Sequence, residues 1–308
     1  MEVTQTVHTQ TVNTESPDLS AAFAKLISAV RYHIEPDEAH KAEQSLSNAG
    51  YLTISLECEL AQRAADITRP TDESPEIDQA TYASRILSLS RCLAASGRRD
   101  EALTTAQEAT NLYRTLAEHN PAAHTPDLAM SLNTLANHLD SNGQLQEALT
   151  TAQEAANLYR TLAEHNPAAH TPNLAMSLNN LANHLDSNGR QQEALTTAQE
   201  AVTIRRNLAE HNPAAHTPDL AMSLNNLAIY LDSNGQQQEA LTTAQEAVTI
   251  RRNLAEHNPA AHTPNLTSSL KTYANILEWS GNAKEAARIR QERNEVLKRM
   301  KEMEEGDA

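Results

Sequence analysis

Five of the chain's seven glycines, Gly97, Gly143, Gly189, Gly235 and Gly281, are each separated from the next by 46 residues. Pro121, Pro167, Pro213 and Pro259 keep the same interval. So do the strings EALTTAQEA, starting at Glu101, Glu147, Glu193 and Glu239, and LDSNG, starting at Leu139, Leu185 and Leu231. A repeat this strict means that one structural unit, unable to bury its apolar face alone, is stacked against copies of itself.

The stretch 171–215 reads as two helices. Thr171-Pro172 is a start signal, since Thr can N-cap and Pro suits the first helical position. Leu174, Leu178, Leu181, Ala182 and Leu185 then recur at helical spacing and mark one apolar face. Asn188-Gly189 ends the helix, with Gly free to take the left-handed C-cap conformation. The second helix carries Ala194, Leu195, Ala198, Ala201, Val202 and Leu208 on its apolar side and ends near His211-Asn212, where Pro213 stops it. At 1.5 Å per residue it would be about 30 Å long.

Composition agrees with thin, closely packed helices. Aromatic residues make up 3% of the 308 residues, with one Phe and one Trp. The formal charge of −16 and the absence of a Lys/Arg stripe exclude a nucleic-acid binder, whose affinity rests on neutralising phosphates. Cys58 and Cys92 are too few for a disulfide framework and read as small core residues. The first residues lack a secretory layout, and no apolar run reaches the roughly 18 residues that span a bilayer. The expectation is a soluble, cytoplasmic protein with no membrane partner.

The spacing Leu178-x2-Leu181-Ala182-x2-Leu185, then Gly189, then Ala194-x3-Ala198-x2-Ala201, resembles the tetratricopeptide repeat. The same register fits Ile86, Leu89, Leu93, Gly97, Ala102, Ala106 and Ala109, and it fades after Leu270, Tyr273, Ala274, Leu277, Gly281 and Ala286. Leu and Ala replace the family's bulky residues, and the surplus of about 12 residues over the usual 34-residue period is assigned to the second helix. The LNNLA string at Leu178 and Leu224 resembles the long-period variety of kinesin light chains and microbial signalling proteins. The resemblance implies an all-α fold, a right-handed superhelical α-solenoid of tetratricopeptide-like helix pairs.

The domains follow from the register: a disordered tail over 1–17, a helical cap or one degraded repeat over 18–78, five repeats over 79–300, and a polar tail over 301–308.

HNPAAHTP, beginning at His119, His165, His211 and His257, is the first candidate for chemistry. His165 and His170 could offer two ligands from one loop, so a metal-binding repeat is a remote alternative. Neighbouring helices stand about 8–10 Å apart, too far for successive loops to share an ion with bonds of about 2.1 Å. His119 and its copies read instead as last-turn residues favoured by the negative end of the helix dipole. No nucleophile–base arrangement or phosphate loop is present in the sequence, so no catalytic residue, cofactor or metal is assigned and the chain reads as non-enzymatic.

In arrays of the family it resembles, the first helix lines the concave groove. The residues assigned there are Met130, Asn133, Asn137 and Asp140; Met176, Asn179, Asn183 and Asp186; and Met222, Asn225, Ile229 and Asp232. Asn amides can pair with an extended backbone, Met gives adaptable apolar contact, and the Asp row would favour a basic partner. The implied function is a scaffold holding a protein or peptide partner, basic or extended, in the groove. The alternative is a regulatory or sensor component of a signalling complex whose catalytic module is on another chain.

Overall fold

The computed structural model describes residues 54–70 and 75–306. The expected tail over 1–17 and most of the expected cap lie outside them. Every regular element among the described residues is an α-helix. In order they are α1 (Ile54–Ile67), α2 (Glu76–Ala95), α3 (Arg99–His119), α4 (Pro121–Ser141), α5 (Leu145–His165), α6 (Pro167–Ser187), α7 (Gln191–His211), α8 (Pro213–Ser233), α9 (Gln237–His257), α10 (Pro259–Trp279) and α11 (Ala283–Gly306). The last of these takes in most of the residues read as a polar C-terminal tail.

The chain divides into two compact units, one of residues up to Thr151 and one spanning Ala152–Gly306. In the first, α1 packs on α2, α2 on α3 and α3 on α4. In the second, each helix from α6 to α11 packs on the next, and α8 touches both α6 and α10. Links this short force neighbouring helices antiparallel, so each unit is a stack of helix pairs, the arrangement of an α-solenoid.

The core is a seam of Ala and Leu. Ala194, Ala198 and Ala201 of α7 are fully buried, as are Ala175, Leu178 and Ala182 of α6. Side chains this small let helix axes approach closely, which is why the chain needs few aromatic rings.

Two details of the repeat differ from expectation. Helices α6 and α7 have 21 residues each, so the surplus over a 34-residue period is shared between both helices and does not fall on the second. The first helix also starts earlier than Thr171-Pro172. Asn166 closes α5 and opens α6 as a one-residue link, and its Oδ1 accepts from the Ala169 N–H at 3.3 Å. Pro167 occupies N1. Asn-Pro supplies both start signals five residues before Thr-Pro can. Pro172 then lies inside the helix, and the carbonyl its missing N–H leaves over belongs to Ala168, which is exposed to water.

The turn inside each pair follows the expected glycine logic. Gly189 has φ 73°, and the Arg190 N–H reaches back to the Leu185 carbonyl at 2.9 Å. The left-handed residue and the 6→1 bond together cap α6.

The two cysteines overturn the sequence reading. Cys58 of α1 and Cys92 of α2 form a disulfide, with Cα atoms 5.3 Å apart. They are separated by 34 residues, and antiparallel packing of α1 against α2 brings them face to face. A pair can bond without belonging to a framework.

Candidate functional site

The residues assigned to the groove face do not share one environment. In the second unit they come from α6 and α8. Asn179 is only 3% exposed, and its amide donates to Ser223 Oγ on α8 at 2.6 Å. It serves as a bolt between two first helices. Asn183 is exposed and accepts from the Tyr230 hydroxyl at 2.5 Å. Met176 and Asn225 are half-buried, while Met222 is 39% and Ile229 40% exposed. Asp186 and Asp232 are half-buried as well, and burial raises the Asp232 carboxyl above the usual range. Burial also raises the Tyr230 hydroxyl, with the Asp186 charge adding to the effect.

The first unit repeats the pattern on α4. Asn133 is buried, Asn137 exposed, and Met130 and Asp140 half-buried.

The stripe nearest to solvent keeps the first and third residues of the expected row on each helix and takes the next residue at the second and fourth positions. It runs through Met176, Asn180, Asn183 and Ser187 on α6, and through Met222, Asn226, Ile229 and Ser233 on α8. This is an i, i+4, i+7, i+11 row, a continuous line on a helix surface. Of the two adjacent Asn residues of LNNLA, α6 buries Asn179 and leaves Asn180 half-buried, whereas in α8 both Asn225 and Asn226 are half-buried. The 46-residue period carries the row to α10, where it ends on Trp279, which is 65% exposed. Sequence reasoning missed this residue. Its signal was the chain's one Trp standing where the earlier units carry Ser141, Ser187 and Ser233. The stripe of the second unit thus combines Asn amides with three exposed apolar side chains, Met222, Ile229 and Trp279.

The first histidine of each HNPAAHTP string lies in the last turn of its helix, and Nδ1 of His165 donates to the Thr161 carbonyl at 2.7 Å. His211 and His257 do the same to Asn207 and Asn253 at 2.7 Å. Among the described residues no three His, Cys, Asp or Glu side chains converge as a metal ion would require. In the first unit His124 Nε2 lies 2.6 Å from Glu76 Oε1, and hydrogen bonds from His124 and Asn120 hold the Glu76 carboxyl below its usual range. Beside it a cleft of about 560 Å³, with both polar and apolar lining, opens between α2 and α3, where the Tyr82 hydroxyl donates to Glu108 at 2.9 Å. No helix among the described residues is long and apolar enough to cross a membrane.

The family model for the tetratricopeptide repeat matches residues 174–215 and 220–260. Among solved structures, BtubC (BKLC) from P. vanneervenii superposes with a TM-score of 0.64 at 18% identity, covering 80% of this chain and 92% of that one. A putative kinesin light chain from Podospora anserina with nearly identical repeats gives 0.53 at 22% identity, covering 73% of this chain and 98% of that one. A signal-transduction ATPase of the STAND type from Pyrococcus horikoshii, with a tetratricopeptide repeat sensor, gives 0.58 at 12% identity. The match covers 90% of this chain and 39% of that protein. These likenesses concern the fold. No curated protein sequence matches this chain.

Proposed function

We propose, for a chain whose repeats are tetratricopeptide repeats of the long-period, kinesin-light-chain-like kind, that it is a non-enzymatic scaffold whose first helices hold a protein or peptide partner. The fold is one that generally mediates protein–protein interaction. The observation that carries the assignment to this face is the stripe over α6, α8 and α10, where exposed Met222, Ile229 and Trp279 stand among Asn side chains. Apolar anchors give a partner most of its binding energy, and amides at fixed intervals suit an extended backbone. The half-buried Asp186 and Asp232 lend the stripe an acidic margin, which favours a partner with basic residues along one side.

A second reading, a sensor component whose catalytic module is on another chain, draws on the repeat sensor of the Pyrococcus horikoshii protein.

The chain's own repeats supply substitutions that its fold accepts. Ile229→Asn copies Asn183, and Trp279→Ser copies Ser233. The double variant should melt close to the wild type yet lose the proteins that immobilised wild type retains from a native lysate, as read by mass spectrometry. An unchanged set of captured proteins would move the binding surface off this face.

A further inference from the structure

The second helices carry a row of side chains whose chemistry changes along the chain. Tyr113, Tyr159, Arg205, Arg251 and Leu297 stand 46 residues apart. Tyr159 is 2% exposed, so a neutral ring fills this position in the second unit. Arg205 and Arg251 are buried almost as deeply, at 3% and 6%. Packing therefore does not require a charge here.

Arg205 has a counter-ion. Its Nη1 donates to Asp219 Oδ2 on α8 at 2.9 Å. The position that answers to Asp219 for Arg251 is Asn265, a neutral amide. Among the described residues no hydrogen bond or ion pair reaches the Arg251 guanidinium, and its Nε, like that of Arg205, is buried without an acceptor. Burial lowers the pKa of both arginines, and in both the opposing charge is Asp219. Two buried cations thus depend on one carboxylate, which one of them already holds. An uncompensated buried charge is costly, and a guanidinium fork fits carboxylate or phosphate oxygens in pairs.

We propose that Arg251, with Arg205 beyond Asp219, forms a binding site for an oxyanion, a carboxylate or phosphate group that takes the place beside Arg251 that Asp219 takes beside Arg205. The site opens to solvent, since the Asp219 side chain is 46% exposed and Asn265 is exposed. Asp219 lies one turn before Met222 on α8, so the site borders the stripe described above and an acidic group on a partner bound there would reach it. The site itself does not depend on that reading.

The test uses the full chain, thermal unfolding at neutral pH, and matched ionic strengths of chloride, acetate and phosphate. Two variants follow the chain's own precedents: Arg251→Tyr copies Tyr159, and Asn265→Asp copies Asp219. Phosphate stabilises proteins in general, so the informative quantity is the gain of the wild type over each variant. That excess should be about 2 °C for a site filled tenfold above its dissociation constant. An excess with acetate identifies a carboxylate site, and one with phosphate alone a phosphate site. Asn265→Asp should also melt above the wild type in chloride, because it supplies the missing carboxylate internally, and this variant decides the matter if Arg251→Tyr fails to fold. Equal gains in all three proteins would overturn the proposal. No partner is present in this experiment, so its failure leaves the stripe assignment intact, and the reverse holds.

Discussion

Position 92 and its repeats at 138, 184, 230 and 276 carry Cys, His, His, Tyr and Ile. Where their partners are visible, they point back to an earlier helix: Cys92 bonds Cys58 of the adjacent α1, while His138 Nε2 lies 3.4 Å from Ser90 Oγ and Tyr230 reaches Asn183, each on the preceding first helix. One backbone position thus accepts a covalent, a polar or an apolar side chain. His138 makes this position pH-sensitive. Burial, aided by the nearby Arg91 charge, lowers its pKa below the ordinary 6.5. The unfolded chain then binds the proton more readily than the folded one, so stability is lost as pH falls below about 6.5 and levels off beneath the folded pKa. His138→Gln should flatten this part of the profile, measured as denaturant stability between about pH 5 and 7. Parallel curves for wild type and variant would refute it. The same scale shows how the stripe differs from one unit to the next. Units 167–212 and 213–258 differ at four positions, Asn173/Asp219, Asn183/Ile229, His184/Tyr230 and Arg190/Gln236. Three of these bear on the stripe or on the arginine row, so the near-identity of the units conceals the differences that matter to a ligand.

At the scale of the element, each helix is bounded by local signals and held by its neighbours. Asn212 caps α8 through the Ala215 N–H at 3.3 Å, as Asn258 caps α10 through Ala261 at 3.3 Å. On the outer side of the second unit, guanidinium–carboxylate pairs join successive second helices: Arg160 to Glu200 at 2.9 Å, Arg206 to Glu246 at 2.7 Å and Arg252 to Glu292 at 2.7 Å. These groups are partly exposed, so each pair contributes about 0–1 kcal/mol and serves register more than stability. The Cys58–Cys92 bond is a stronger tie. Closing a loop of this length removes about 3–4 kcal/mol of chain entropy from the unfolded state. Reduction with a dithiol should therefore lower the unfolding midpoint and speed amide exchange in α1, while Cys58→Ser/Cys92→Ser should show no response to the reductant. An oxidised wild type that is equally insensitive would mean that α1 is held by packing alone. Disulfides are also rare in a reducing cytosol, a feature that the cytoplasmic expectation does not account for.

At the scale of the molecule, the periodic junction carries the largest prediction. Removing residues 213–258 joins Asn212 to Pro259 and restores the string HNPAAHTP unchanged. In a stack where each pair contacts only its neighbours, stability is a sum of pair and interface terms. The shortened chain should keep the same helical signal per residue and unfold cooperatively at a lower midpoint, as followed by circular dichroism. Loss of helicity would show that the unit depends on more than its neighbours.

The amino-acid sequence by itself determined what is local and periodic. The 46-residue spacing, the Gly turns at 97 to 281, the stop at each Asn-Pro and the Ala/Leu faces are written within a few residues of where they act. Local competition misled only where two signals lay close together, as when Asn166-Pro167 opened α6 before Thr171-Pro172 could. Tertiary structure alone decided that Asn179 is buried beside a half-buried Asn180, that Cys58 meets Cys92, that Trp279 ends an exposed stripe, and that Arg205 has a carboxylate while Arg251 has none. Each of these depends on contacts made, or left unmade, between side chains tens of residues apart. Such contacts are set by how one helix turns against the next, which no local pattern records.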